Sequence, residues 1–248
     1  ALGVALKRSG DVATAVSCYE QAMALDPQDP EPVFNLALVF EEASESEAAL
    51  AAYETLTSIA PEMLEAWVNL GNLHHREKRF TAAAVAYQRV LDVNPEDAST
   101  WSRLGVVADA MGARDEARAH YRMALELDPE CVEAHFNMGI SLREQGDLTG
   151  AIGSYRRALA VNPTQADVLF NLGRAQQADG DVAAAEASYR ASISVDPNKV
   201  AAQNNLGTVL LDQGQLSDAV DVYRQAAGED SAGSVHANSA WNLSLALL

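Results

Sequence analysis

Apolar residues recur along this chain at spacings of three and four, which places them on one face of an α-helix. Leu104, Val107 and Ala108 make one such face. Ala117, Tyr121, Ala124 and Leu125 make the next, a short way on. Gly10, Gly112, Gly146, Gly180 and Gly214 stand between the members of such pairs, and Asp-Pro or Asn-Pro follows the second member. Glycine permits a tight turn between helices. Proline ends the second helix, because it cannot continue the hydrogen-bond ladder and restrains the residue before it. The pattern predicts helical hairpins in succession.

The hairpins repeat on a fixed period. All seven tyrosines, Tyr19, Tyr53, Tyr87, Tyr121, Tyr155, Tyr189 and Tyr223, are spaced 34 residues apart. An alanine stands four positions before each: Ala15, Ala49, Ala83, Ala117, Ala151, Ala185 and Ala219. Proline follows six of the seven tyrosines by eight positions, and glycine precedes six by sixteen, with Ala37 as the one substitute. Such agreement at several offsets marks a repeat protein. The units run over 1–29 (truncated), 30–63, 64–97, 98–131, 132–165, 166–199 and 200–233, and a further helix begins over 237–248.

These residues resemble the tetratricopeptide repeat family across almost the whole chain. Trp67, Leu70 and Gly71 match the family's first helix; Ala83, Tyr87 and Pro95 match its second, as do Ala117, Tyr121, Ala124 and Pro129. The resemblance implies an all-α fold: a right-handed α-solenoid superhelix of helix-turn-helix hairpins, with residues 1–248 forming a single array. Repeats of this kind contact only their neighbours, so length alone does not imply two globular domains. Many unrelated partners are held on this fold, so the family by itself does not name a function.

Composition narrows the field. A formal charge of −18 argues against a nucleic-acid partner, which needs a basic stripe. The excess of carboxylates reads first as a solvated acidic outer face, and only secondarily as a preference for basic partners. No apolar run approaches the roughly 18 residues of a membrane span, and no secretory signal opens the chain. Cys18 and Cys131 lie more than three repeats apart, so packed thiols rather than a disulfide are expected. An intracellular, reducing, cytoplasmic setting follows as the expectation. Ala1 falls inside a first helix, and the apolar Trp241–Leu248 stretch matches the start of another. The sequence is therefore expected to belong to a longer chain, and exposed array ends leave self-association or a larger assembly open.

Two units depart from the norm at their turns. Ser44 replaces the turn glycine amid Glu41, Glu42, Glu45 and Glu47, which reads as a solvated acidic turn. In the next unit His74, His75, Arg76, Lys78 and Arg79 crowd the helix end. The adjacent histidines point in different directions on a helix and lack neighbours at ligand spacing, which disfavours a metal site. His74 occupies a large core position and is expected to be partly buried and hydrogen-bonded.

Packing explains the tyrosines, alanines and prolines, so function must be sought in recurring polar residues that packing does not require. Asn35, Asn69, Asn137, Asn171, Asn205 and Asn242 occupy one repeat position, with Arg103 in the same place in the fourth unit. In the family this position faces the concave wall. A primary amide offers two donors and an acceptor pair, which suits the alternating groups of an extended peptide backbone. The row resembles the asparagine ladder in the repeat region of O-linked N-acetylglucosamine transferase. The alternative is that each amide bonds the neighbouring repeat and orders the array. Arg103 would accept an acidic group of the bound segment, or pair with a nearby carboxylate. Arg76, Arg143 and Arg174 are further candidates on this wall, offset by Glu31, Glu65, Glu133 and Asp167. The family's clamp for chaperone-tail carboxylates is matched only by Asn69 and Arg103; Phe34, Leu38 and Ser99 hold its other polar places.

No catalytic constellation and no cofactor-binding motif appears. The reading is a non-catalytic protein-interaction scaffold that binds an extended segment of a protein partner. Two alternatives stand beside it: a substrate-recruiting arm of a glycosyltransferase related to the one just named, and a structural subunit of a larger assembly.

Overall fold

The computed structural model of the protein describes residues 12–227 and Asn242. The truncated first helix with Gly10, the loop after Ala227 and the remainder of the expected terminal helix lie outside the described residues. Among the described residues thirteen α-helices follow one another: α1 (Val12–Leu25), α2 (Pro30–Glu42), α3 (Ser46–Ile59), α4 (Leu64–Arg76), α5 (Phe80–Val93), α6 (Ala98–Ala110), α7 (Arg114–Leu127), α8 (Val132–Glu144), α9 (Leu148–Val161), α10 (Ala166–Ala178), α11 (Val182–Val195), α12 (Val200–Asp212) and α13 (Leu216–Ala227). The fold is the expected all-α helical repeat superhelix. The helices gather into two compact units, α1–α7 up to Leu127 and α8–α13 from Asp128.

The turn inside each hairpin is built from backbone geometry. At the end of α8, Gly146 donates to the Arg143 carbonyl (3.0 Å) and Asp147 to the Leu142 carbonyl (2.9 Å), with Gly146 at φ +84°. This closure satisfies the last carbonyls of the helix and demands a left-handed residue. Asp147 then caps α9 by accepting from the Gly150 amide at 2.9 Å. Gly112, Gly180 and Gly214 repeat the left-handed turn, as the sequence predicts, but Ser44 (φ 60°) and Lys78 (φ 59°) adopt it with a side chain. That conformation costs a non-glycine residue roughly 1–2 kcal/mol. Lys78→Gly is therefore expected to raise the unfolding free energy by about 0.5–1 kcal/mol, the entropy of glycine offsetting part of the relief. A urea titration that gives a lower midpoint for the variant would show the strain to be absent.

The core of five described hairpins is a glycine–tyrosine pair, and Ala37 holds the glycine's place in the hairpin of Tyr53. A Cβ on Gly139 would fall 2.5 Å from Tyr155 Cε1, and one on Gly173 would fall 2.7 Å from Tyr189 Cε1. The ring thus packs flat on the backbone of its own first helix, which is why glycine and tyrosine keep their offset along the chain. Tyr53, Tyr121, Tyr155, Tyr189 and Tyr223 are among the largest fully buried side chains, each surrounded by alanines such as Ala151 and Ala158. Successive hairpins are clasped by a second recurring contact. Trp67 Nε1 donates to the Pro61 carbonyl and Trp101 Nε1 to that of Pro95, both at 2.9 Å. His135 Nε2 and Gln203 Nε2 make the same 2.9 Å contact to Pro129 and Pro197. Three chemically different side chains share one task, donating to the carbonyl of the residue that ends the preceding hairpin. Cys18 is half-buried, Cys131 is buried, and both are free thiols; burial pushes the Cys131 thiol up.

Candidate binding face of the first helices

The positions singled out from sequence fall on equivalent places of successive first helices. Asn35, Asn69 and Arg103 lie on α2, α4 and α6 of the first unit; Asn137, Asn171 and Asn205 lie on α8, α10 and α12 of the second. All are half-buried, as is the helical Asn242, whose amide donates to Asn204 Oδ1 at 3.4 Å. Their amides are not engaged alike. Asn35 and Asn171 donate to the carbonyls of Glu31 (2.8 Å) and Asp167 (2.9 Å), one turn back in the same helix. Asn205 donates to the Tyr189 hydroxyl at 3.3 Å, and Asn69 bonds the hydroxyl of Tyr53. Arg103 stands where its charge acts on the Tyr87 hydroxyl and makes no ion pair among the described residues.

The tyrosines do more than fill the core. Their hydroxyls reach polar side chains of the first helices, and those of Tyr53 and Tyr189 also meet Asn69 and Asn205. There Tyr53 donates to Glu41 Oε2 (2.9 Å), Tyr121 to Asp109 Oδ2 (3.0 Å) and Tyr189 to Gln177 Oε1 (2.8 Å), always twelve residues back. Where that position cannot serve, the hydroxyl turns to the residue fifteen back: Asn72 Oδ1 for Tyr87 (2.7 Å) and Thr208 Oγ1 for Tyr223 (3.1 Å). Sequence reasoning treated the tyrosines as packing alone and passed over Asp109, Gln177, Asn72 and Thr208. The signal available was a polar residue at one of two fixed offsets from each tyrosine. Burial raises the hydroxyl pKa of Tyr53, Tyr87 and Tyr189, to about 12 for Tyr87 against the opposing pull of Arg103, so these three remain donors at neutral pH.

The charged candidates sort themselves by partner. Arg76 Nη1 donates to Glu41 Oε1 at 3.1 Å, and Arg79 pairs with Glu47. Two carboxylates of the acidic turn are thus answered by the basic turn of the next repeat, while Glu42, Glu45 and Glu47 stay exposed, as a solvated turn requires. Arg174 lies over the Phe170 ring at 5.7 Å, and Lys199 Nζ at 5.8 Å, the lysine also pairing with Asp167 at 2.6 Å. Arg143 is half-buried beside Tyr155.

His74 is buried as anticipated, but its Nδ1 has no hydrogen-bond partner, contrary to the expectation from sequence. Burial lowers its pKa from the usual 6.5, with a weaker opposing pull from Glu54. The unfolded chain therefore binds a proton more readily than the folded one as pH falls below that value. The associated stability is complete above pH 6.5 and is lost as pH falls through the folded pKa. His74→Leu is expected to remove this part of the acid sensitivity. Equal slopes of melting temperature against pH for variant and wild type between pH 7 and 5 would exclude it.

Comparison with known proteins follows the same lines. A family model described as "Tetratricopeptide repeat" matches residues 34–99, 79–130, 102–167 and 170–234, and one described as "TPR repeat" matches residues 3–44. No curated protein matches the chain. Among solved structures, one titled "Crystal structure of MamA protein" is 25% identical, with a TM-score of 0.57, covering 67% of this chain and 91% of its own. A tetratricopeptide repeat protein from Parabacteroides merdae is 17% identical, with a TM-score of 0.74 and coverage of 99% and 96%. The structure of the APC/C hetero-tetramer Cut9–Hcn1 is 15% identical, with a TM-score of 0.73, covering 99% of this chain and 48% of that one. The last two show likeness of fold alone. Among the described residues no helix is long and apolar enough to cross a membrane.

Proposed function

The chain belongs to the tetratricopeptide repeat family, whose helical arrays serve as protein-interaction scaffolds, and from that premise we propose that it binds an extended segment of a protein partner along the asparagine face of its first helices. The observation that carries the reading is the row itself. Half-buried amides recur at one position through α2, α4, α8, α10 and α12, beside tyrosine hydroxyls that hold a different polar side chain in most repeats. Core packing requires neither. The amide of Asn171 spends one hydrogen on the Asp167 carbonyl, and the remaining hydrogen and both oxygen lone pairs match a peptide group. An extended chain places such groups at regular spacing without regard to its side chains, while the residues held by the tyrosines supply selectivity.

The second unit supplies the test. Selection of a random peptide library on the wild-type protein and on an Asn137/Asn171/Asn205→Ala variant of matched thermal stability should give peptides that the wild type captures and the variant loses. Equal enrichment by both would overturn the asparagine face. It would move attention to the assembly reading, for which concentration-dependent association insensitive to the three substitutions is the signature.

A further inference from the structure

The two tryptophan clasps differ in what covers the indole. In the hairpin of α6 and α7, His120 stacks on Trp101 with ring centroids 5.4 Å apart. The equivalent residue one repeat earlier is Ala86 of α5, and among the described residues no ring stacks on Trp67. The Trp67 indole is held in place by its bond to the Pro61 carbonyl (2.9 Å) and is only half-buried. A cleft of about 330 Å³ opens beside it, lined by Pro61, Trp67, Arg89, Asp92 and Val93. That volume is at the small end for a ligand site. The lining divides by chemistry. Pro61, Trp67 and Val93 make an apolar floor, and Val93 is 62% exposed. Arg89 and Asp92 stand on the rim, both exposed, with Nη1 and Oδ2 3.7 Å apart, too far for a hydrogen bond. Gln88 Nε2 donates to the other carboxylate oxygen at 3.1 Å. The Arg89 guanidinium makes no hydrogen bond among the described residues. Both charged heads therefore keep bonding capacity that solvent now fills. At these two rim positions the next repeat carries Met123 and Glu126, so the pair of opposite charges belongs to the cleft of Trp67.

An apolar floor beneath adjoining positive and negative heads complements a molecule that joins an apolar group to opposite charges one carbon apart. We propose that this cleft binds a free α-amino acid with an apolar side chain. Its carboxylate meets Arg89, its ammonium meets Asp92, and its side chain lies on Trp67 and Val93. The four charges then alternate around the rim, and each hydrogen bond formed is charge-assisted. An internal residue of a protein chain presents two neutral amides here and leaves the opposite charges of the rim unanswered. The cleft is separate from the asparagine face, because Trp67 and Asn69 stand two residues apart on α4 and do not share a side of the helix. Binding at the one does not depend on binding at the other.

Ligand-observed NMR titration of the full chain tests this with L-leucine and L-phenylalanine as probes. Both should bind with a dissociation constant on the order of 1 mM, as suits a ligand of this size in an open cleft. Isoamylamine lacks the carboxylate of leucine, isocaproate lacks its ammonium, and N-acetyl-L-leucinamide lacks both charges. Each should bind at least about tenfold more weakly than L-leucine. Arg89→Gln and Asp92→Asn, made on exposed residues that the core does not use, should each weaken L-leucine by a similar factor. Arg89→Gln should leave isoamylamine unchanged, because the group it would meet is absent, and Asp92→Asn should leave isocaproate unchanged. Trp67→His removes the indole wall and keeps a donor for the Pro61 carbonyl, as His135 does for that of Pro129 at 2.9 Å. It should abolish binding, with a melting curve to show that the fold is kept; if it is not, the two rim variants decide. Equal binding of N-acetyl-L-leucinamide and L-leucine overturns the amino-acid site and assigns the cleft to an internal apolar residue of a partner. Full binding in both rim variants, or no binding of either amino acid at about 10 mM, a concentration tenfold above the expected constant, overturns it as well.

Discussion

Tyr155→Ala is expected to lower the unfolding free energy by about 3–5 kcal/mol, the range for emptying a buried aromatic site. The ring is fully buried, shares a cluster with Ala151, Ala158 and Phe136, and lies against the bare backbone of Gly139. Urea titration followed by circular dichroism measures the loss, and a variant within 1 kcal/mol of wild type would refute the core assignment. Tyr155→Phe separates ring from hydroxyl. Because that hydroxyl has no partner, its removal should leave stability within about 0.5 kcal/mol of wild type or raise it, since an unsatisfied buried polar group is a cost. Tyr189→Phe removes a hydroxyl held by Gln177 at 2.8 Å and Asn205 at 3.3 Å, and should cost about 1 kcal/mol.

The second large effect is on binding. Each amide that meets a peptide group contributes on the order of 0.5–1.5 kcal/mol, so the Asn137/Asn171/Asn205→Ala variant is expected to bind a selected peptide roughly 10- to 2000-fold more weakly. Isothermal titration with one peptide from the wild-type selection gives the figure, and a change below threefold would remove the asparagines from the interface. The single variants should not behave alike in stability. Asn171 bonds only its own helix, at the Asp167 carbonyl, so Asn171→Ala should melt like wild type. Asn205 holds the Tyr189 hydroxyl, so Asn205→Ala should melt lower. On the proposed reading, the melting behaviour of Asn171→Ala and Asn205→Ala therefore tests peptide binding against array ordering repeat by repeat.

The hairpins, their boundaries and the turn glycines were legible from periodicity, because close packing of glycine against tyrosine forces both to recur at a fixed offset. Asn162 and Asp196, each before a proline, adopt the extended backbone expected of that position. The hydroxyl partners were not legible in the same way. Whether Tyr87 uses position 75 or 72 depends on which side chain reaches the oxygen in three dimensions, and His75 instead tilts against Phe80 at 5.6 Å. The Glu41–Arg76 and Glu47–Arg79 pairs span 35 and 32 residues, a separation at which charge order along the chain carries little information. The division at Leu127 left no mark in the spacing of the repeats, since the period runs through it unchanged.

One consequence of the anchored face concerns how such a protein changes its preferences. The position twelve residues before each tyrosine holds Lys7, Glu41, His75, Asp109, Arg143, Gln177 and Leu211: ammonium, acid, imidazole, acid, guanidinium, amide and hydrocarbon. The fold is secured by the ring and the glycine, and in the proposed function specificity hangs from the hydroxyl. Mutation is therefore free to rewrite this alphabet one letter per repeat while the grammar of the array stays intact, and duplication of a hairpin lengthens the word. Divergence of partners among related arrays should concentrate at this position and outrun divergence in the tyrosines that present it.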